Sequence, residues 1–174
     1  MIVSFTGHRP DKIAGYHSSP REVEVAVRWA LAEEIVRLAA EGADTFVSGM
    51  APGFDLWAAD EVLRLRGEGH IGRDVRLVLA VPYPKFERSF AKEWHPLYHF
   101  VEESADEIVY LSQGYHHGCY HRRNDYLAEQ ADVVVAYYEG SKGGTRYTLR
   151  KAAQWGKTIV NLHQRELFGP IIND

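Results

Sequence analysis

The sequence predicts an α/β fold in which helices cover both faces of a mostly parallel sheet of about six strands. Short apolar runs with strand character alternate with longer segments of helical periodicity along the 174 residues. Glycines, prolines and helix-capping residues stand at the junctions. Alternation of this kind implies right-handed crossovers, so we expect successive strands to run parallel between two layers of helices.

The elements are predicted in order along the chain. Strands are expected at residues 2–6, 45–48, 75–81, 107–111, 133–138 and 158–162. Helices are expected from Pro20 to Gly42, from Gly53 to Gly67, over 87–105 with a break at Pro96, over 120–130 and over 145–155. At the first helix, Ser19 suits the N-cap, Pro20 the first helical position, and Glu22 the third position of a capping box.

The composition is that of an ordinary globular protein, expected in the cytoplasm as one domain over residues 1–174. Cys119 is the single cysteine, so no internal disulfide is expected. The N-terminal apolar run is too short for a signal peptide, and no stretch reaches the length of a membrane span. The net charge of -4 argues against a nucleic-acid partner, although a local basic patch is compatible with it.

Unusual residues follow three of the predicted strands. The first strand ends in Thr6, Gly7, His8 and Arg9, where the glycine allows close approach to a ligand and the arginine can pair with a phosphate. The alternative is a tight turn with a surface arginine. Because parallel strands end at one edge of a sheet, ligands of such folds bind there, where the strand order reverses.

The second strand ends in a glycine-rich loop that includes Gly49, Met50, Ala51, Gly53 and Asp55. Its glycines precede a helix, so free amides at the helix start can face an anion. The carboxylate of Asp55 would lie in the first turn and could accept a hydrogen bond from a ribose or a base. Its alternative role is that of a cap or helix-dipole partner.

The fifth strand ends in a second glycine-rich loop, with Gly143 and Gly144 followed by Thr145. Thr145 could cap the next helix or contact a phosphate. Neither loop has the spacing of a dinucleotide fingerprint or a P-loop. Two glycine-rich loops at one edge, together with Gly7, predict a shared binding site.

Two further clusters have competing interpretations. The segment 115–124 contains His116, His117, Cys119 and His121, which invite a metal, but it is better read as a polar loop with Arg123 and Asn124 pointing into the pocket. The aromatic stretch 94–100 is read as helix packing, with a base-stacking lid as the alternative. We expect no bound metal and no cofactor.

Together these segments resemble the YpsA-like family of the SLOG superfamily, over about residues 2–163. The matching segments are 6–10, 49–59, 123–126 and 143–145. The resemblance implies a Rossmann-like, three-layer domain that binds a nucleotide or nucleotide derivative, in some members linked to stress, phage defence or signalling. It implies a ligand set of Thr6, Gly7, His8, Arg9, Gly49, Met50, Ala51, Gly53, Asp55, Arg123, Asn124, Gly143, Gly144 and Thr145.

Two relatives within the superfamily define the alternatives. Phosphoribohydrolases that release cytokinin-type bases carry a glutamate shortly after the glycine loop, whereas here Thr145 is followed by 146–150 without a carboxylate. The DNA-processing protein A family, which handles single-stranded DNA, is similar at 48–55 and at the later glycine loop.

We therefore expect a sensor or sequestering protein for a nucleotide-derived small molecule, such as an ADP-ribose-type signal. The first alternative is an N-glycosidic hydrolase, for which Asp55 is the best catalytic candidate. The second is a module that binds single-stranded nucleic acid. A homodimer or higher homo-oligomer is left open.

Overall fold

The computed structural model describes residues 1–13 and 15–164. The strands are β1 (Ile2–Gly7), β2 (Thr45–Ser48), β3 (Arg76–Val81), β4 (Glu107–Tyr110), β5 (Val133–Tyr137) and β6 (Thr158–Asn161). The α-helices are α1 (Pro20–Ala40), α2 (Phe54–Gly67), α3 (His95–Ser104), α4 (Cys119–Gln130) and α5 (Gly144–Gln154). Every strand boundary lies within one residue of its predicted position.

The sheet has the order β4-β3-β2-β1-β5-β6, and every pair of neighbouring strands is parallel. The chain builds outward from β1 to β4 and then crosses back to place β5 beside β1. The strand order therefore reverses between β1 and β5, which is where folds of this kind form a ligand crevice. The predicted α/β fold with a parallel sheet is confirmed.

Helices cover the sheet on both faces. On one face α1, α2 and α3 pack against each other and form the larger part of the core, in which Phe5 and Phe46 stack at 5.8 Å. On the other face α4 packs against α5, and Leu127 and Ala128 join smaller apolar clusters with β2, β3 and β5. This is the three-layer arrangement that the alternating pattern predicts.

Two helix starts differ from the prediction. Pro96 lies in the first turn of α3 instead of breaking a longer helix, because proline needs no hydrogen-bond partner for its nitrogen there. The residues before it form two 3-10 turns, Phe86–Ser89 and Lys92–Trp94. At α1 the helix begins after Ser19 as expected, but the Ser19 side chain makes no capping hydrogen bond, so the predicted capping box is wrong.

The aromatic stretch before and within α3 belongs to the core. Trp94 and Tyr98 are buried, and the ring of Trp94 lies 5.9 Å from that of Trp57 in α2. This supports helix packing over the lid. No helix among the described residues is long and apolar enough to cross a membrane.

Candidate functional site

A cleft of about 330 Å³ opens at the carboxyl ends of β1 and β5, where the strand order reverses. It is lined by Thr6, Gly7, His8, Arg9, Asp11, Lys12, Ala51, Asp55, Tyr120, His121, Arg123, Asn124, Ser141, Gly143, Gly144, Thr145 and Arg146. Most residues of the predicted ligand set therefore lie together. Residues from the ends of β1, β2 and β5 meet there because parallel strands end at the same edge.

Positive charge outweighs negative charge in the cleft. Its cationic side chains are Arg9, Lys12, Arg123 and Arg146, against the carboxylates of Asp11 and Asp55. The N-terminus of α5 adds to this positive potential. The first hydrogen bond of the helix runs from the Tyr147 amide to the Gly143 carbonyl, 3.1 Å away. The backbone amides before Tyr147 therefore have no acceptor within the helix. Free amides at a helix N-terminus favour the binding of an anion.

Lys12 ties the first strand end to the second glycine-rich loop. Its Nζ donates a hydrogen bond of 2.9 Å to the carbonyl of Lys142 and lies close to Gly143. The bond joins positions 130 apart in the sequence. A lysine held in this way places its positive charge at the N-terminus of α5, which is the end of the helix that favours an anion.

Asp55 lies in the first turn of α2 and is buried. One carboxylate oxygen accepts a hydrogen bond of 3.1 Å from the Gly7 amide, so the side chain fastens α2 to the end of β1. Burial raises the pKa of Asp55 to about 6, although the Arg123 guanidinium lowers it. The carboxylate therefore makes a hydrogen bond within the protein while it also lines the cleft.

Arg123 is buried beneath the cleft and holds its neighbours in place. Its Nη1 donates a hydrogen bond to the Gly49 carbonyl, and its Nε donates one of 2.8 Å to Oδ1 of Asn124. Burial lowers the pKa of Arg123, and the carboxylate of Asp55 opposes this effect. The amide nitrogen of Asn124 lies close to Gly144, since a Cβ at position 144 would lie 3.1 Å from it.

Three residues of the predicted ligand set do not line the cleft. Met50 is fully buried with a φ of 62°, and its amide donates to the Ser48 hydroxyl at 3.2 Å. A Cβ at Gly49 would lie 2.8 Å from Arg123 and 2.9 Å from Asp55, and one at Gly53 would lie 2.9 Å from a carbonyl of the β1 end. These three residues lie behind the residues that line the cleft and support them.

His8 is buried at the end of β1 and faces the residue that follows β5. Its Nε2 lies 3.0 Å from a carboxylate oxygen of Glu139 and 3.2 Å from the Glu139 amide. Burial lowers the pKa of His8, and the Glu139 carboxylate opposes this effect. A neutral Nε2 would accept the Glu139 amide hydrogen and a protonated one would donate to the Glu139 carboxylate, so in either state His8 holds the start of the second glycine-rich loop.

The histidines that suggested a metal are separated in the structure. No group of three or more His, Cys, Asp or Glu side chains within residues 1–13 and 15–164 could hold a metal ion. His116 bonds to Ser112 at 2.8 Å and to the His117 carbonyl, while Cys119 is buried. His121 alone reaches the cleft, where its ring stacks on Tyr147 at 4.5 Å.

Sequence reasoning did not name Asp11, Lys12, Ser141 or Arg146 as lining residues, and it placed Tyr120 and His121 only within a polar loop around the pocket. Lys12 and Arg146 were detectable, because each lies within three positions of a strand-end motif and carries the charge that a phosphate needs. Tyr120 and His121 lie at the start of α4, and only the packing of α4 against α5 brings them to the site.

Comparison with known proteins places these features in a family. The model of the YspA SLOG family (YpsA) matches residues 3–164. A UPF0398 protein of Bacillus cereus (strain AH187) is 21% identical over 164 residues, which are 93% of this chain and 87% of that protein. The family match therefore includes every strand and helix described above except for Ile2 at the start of β1.

Two solved structures share the fold. DNA processing protein A from Helicobacter pylori superposes with a TM-score of 0.57 at 19% identity, covering 91% of this chain and 63% of that one. The Streptococcus pneumoniae protein gives 0.59 at 16% identity, covering 90% and 48%. This chain thus spans less than two thirds of either protein.

The Helicobacter structure was solved to explain how that protein binds single-stranded DNA. The argument from net charge against a nucleic-acid partner is therefore wrong, because a protein with this fold binds one. Net charge fails as a criterion because it averages over the surface, whereas binding depends on the local charge of one face.

Proposed function

Because the chain belongs to the YpsA family of SLOG proteins, we propose that its cleft binds a nucleotide or nucleotide-derived molecule through the phosphate. The observation that carries the proposal is that Arg9, Lys12 and Arg146 line one cleft together with Gly143 and Gly144 at the N-terminus of α5. Guanidinium and ammonium groups bind phosphate oxygens, and helix amides supplement them. A cleft of about 330 Å³ is within the size range of small-molecule sites.

The remaining residues take supporting roles in this proposal. Arg123 and Asp55 are buried and bonded to the Gly49 carbonyl and the Gly7 amide, so they position the β2–α2 loop and the end of β1. Asn124 lies beside Gly144 and offers its amide nitrogen to the ligand. A protein built in this way would act as a sensor or sequestering protein, and an ADP-ribose-type ligand is the finer form of the proposal.

The test is binding by isothermal titration calorimetry with AMP, ADP and ADP-ribose. We expect Arg9→Ala to weaken the affinity about ten- to one-hundred-fold, since a charge-assisted hydrogen bond contributes about 1.5–3 kcal/mol. Its thermal stability should change little, because Arg9 is exposed. Arg73→Ala removes an exposed cation before β3, at the opposite edge of the sheet, and should leave the affinity unchanged.

Two results would contradict the proposal. If none of the three nucleotides binds, the cleft is not a site for a free nucleotide. If one binds with equal affinity to wild type and Arg9→Ala, the phosphate does not sit beside Arg9. Chromatography of the same mixtures would detect any free base released by N-glycosidic cleavage. Release of free base would show that the protein is an enzyme and does not merely bind its ligand.

A second candidate is binding of a nucleotide unit within single-stranded DNA. The observation that favours it is the likeness in fold to DNA processing protein A, whose Helicobacter form binds single-stranded DNA. The same cleft chemistry would serve, since both ligands present a phosphate beside a sugar and a base. Competition between AMP and a short single strand for the cleft would distinguish a shared site from two separate ones.

A further inference from the structure

A groove runs along α5 and continues the cleft. This α5 groove is lined by His121, Gly143, Gly144, Arg146, Tyr147, Arg150, Lys151, Ala153 and Gln154 and has a volume of about 850 Å³. It shares His121, Gly143, Gly144 and Arg146 with the cleft. A ligand longer than one nucleotide could therefore pass from one into the other without a break.

The α5 groove is positively charged although the protein as a whole is acidic. The helix carries Arg146, Arg150 and Lys151 and has no Asp or Glu between Gly144 and Gln154, whereas the chain has a net charge of -4. Positive charge concentrated on one face is the electrostatic mark of a surface that tracks phosphates.

These charges are not used in ion pairs. Arginines on α1 and α2, such as Arg28 and Arg64, are paired with carboxylates of their own or the neighbouring helix. In the part of the chain that the structure describes, no ion pair involves Arg146, Arg150 or Lys151. An incoming anion would not have to displace a carboxylate from them.

Aromatic rings lie among the cations of the groove. Tyr147 stacks on His121 and is held by a 2.8 Å hydrogen bond from its hydroxyl to Asp125. The ammonium of Lys151 lies 5.7 Å from the Tyr147 ring and 5.6 Å from that of Trp155, which follows α5 just outside the groove lining and is 44% exposed. Cations interleaved with accessible rings are typical of surfaces that bind unpaired bases and their backbone together.

We propose that the α5 groove binds the backbone of a single-stranded nucleic acid whose end enters the cleft. The inference rests on the proposed function, because the terminal nucleotide occupies the same cleft. Arg150 and Lys151 contact phosphates beyond that nucleotide, and the rings of the groove favour a single strand over a duplex, whose bases are stacked on each other.

The test measures affinity against length by fluorescence anisotropy. The probes are 5′-phosphorylated thymidylates of one, about 4 and about 12 nucleotides, of which the two longer ones lie within the range of single-strand site sizes. We expect affinity to rise at least about ten-fold from the shortest to the longest probe. The double variant Arg150→Ala/Lys151→Ala should abolish this rise, reduce the slope of log affinity against log salt by about 1.4, and leave binding of the mononucleotide unchanged.

The matched control is Arg73→Ala/Lys92→Ala, which removes two exposed cations away from the α4–α5 face. An equal loss of length-dependent affinity in this control would overturn the inference, because binding would then depend on overall positive charge and not on the α5 groove. So would an affinity independent of length, or equal affinity for a duplex of the same length. If mononucleotide binding is absent while long probes bind and depend on Arg150 and Lys151, the groove stands and the cleft proposal fails.

Discussion

Gly7 ends β1 and packs against Phe54, the first residue of α2. A Cβ at position 7 would lie 2.3–2.5 Å from three carbon atoms of Phe54, and Phe54 is completely buried. The sequence suggested that Gly7 leaves room for a ligand. The structure shows that Gly7 lines the cleft and also leaves room for the helix that carries Asp55, so this residue connects the site to the core.

Gly7→Ala should therefore destabilise the protein. Overpacking of a close-packed core typically costs about 1–3 kcal/mol, which urea unfolding would measure as a reduced free energy of unfolding. The control is Gly67→Ala at the end of α2, where a Cβ meets no atom within 4 Å. That variant should be as stable as wild type or more stable by up to about 1 kcal/mol. Equal stability of the two variants would contradict the steric role of Gly7.

The raised pKa of Asp55 makes a prediction about pH. Between the ordinary value of 3.8 and about 6, the folded protein keeps a proton on Asp55 that the unfolded chain releases. The stability that this proton contributes is complete below 3.8 and is lost as pH rises through about 6. The folded state therefore carries a buried charge at neutral pH.

We expect the unfolding free energy of wild type to fall relative to that of Asp55→Asn between about pH 4 and pH 7, by at most about 3 kcal/mol. Urea unfolding of both proteins over this range isolates the contribution of Asp55, because other titrating groups are common to both. A constant difference between the two curves would show that the carboxyl has its ordinary pKa in the fold.

At the scale of elements, the Ser48 hydroxyl makes two hydrogen bonds within the loop between β2 and α2. The Ser48 Oγ donates a 2.8 Å hydrogen bond to the Asp55 carbonyl and accepts one of 3.2 Å from the Met50 amide. Both bonds are buried. They hold Met50 at its positive φ, a conformation that costs free energy in a residue other than glycine.

Ser48→Ala leaves both backbone groups without this partner, so we expect a loss of about 1–3 kcal/mol and weaker binding of the ligand at the cleft. Ser19→Ala is the matched control. Ser19 occupies the N-cap of α1, but its side chain makes no capping hydrogen bond, so its removal should change stability by less than about 0.5 kcal/mol. Thermal melts of both variants would reveal a contradiction if Ser19→Ala proved the more damaging.

At the scale of the whole molecule, stability is expected to be highest at the centre of the sheet. β5 is buried along its length, and β1 is bonded to strands on both sides. β4 and β6 form the edges and contain exposed residues. Local openings should therefore begin at the edges, because fewer contacts oppose them there.

Hydrogen exchange followed by mass spectrometry tests this order. Peptides from β1 and β5 should exchange at least about 10-fold more slowly than peptides from β4 and β6. Binding of a nucleotide in the cleft should protect the start of α5 without changing β4. Protection of β6 equal to that of β5 would contradict the expected gradient.

The sequence by itself determined the secondary-structure elements and which of the loops between them lie at one edge of the sheet. Strand boundaries follow from local apolar runs and turn residues, so β1 was predicted at 2–6 and observed as Ile2–Gly7. Since parallel strands end at one edge, the glycine-rich loops after β2 and β5 had to share that edge with Arg9. No knowledge of the strand order was needed for this part of the site.

Only the tertiary structure decided which strand ends are neighbours. The placement of β5 beside β1 brings Glu139 to His8 and Lys12 to the Lys142 carbonyl, contacts between residues about 130 positions apart. The packing of α2 and α4 against the sheet bonds Asp55 to the Gly7 amide and Arg123 to the Gly49 carbonyl, and the packing of α5 beside α4 brings its unpaired cations next to the cleft. Local sequence patterns govern backbone conformation over a few residues, whereas these contacts depend on how the entire chain buries its apolar surface.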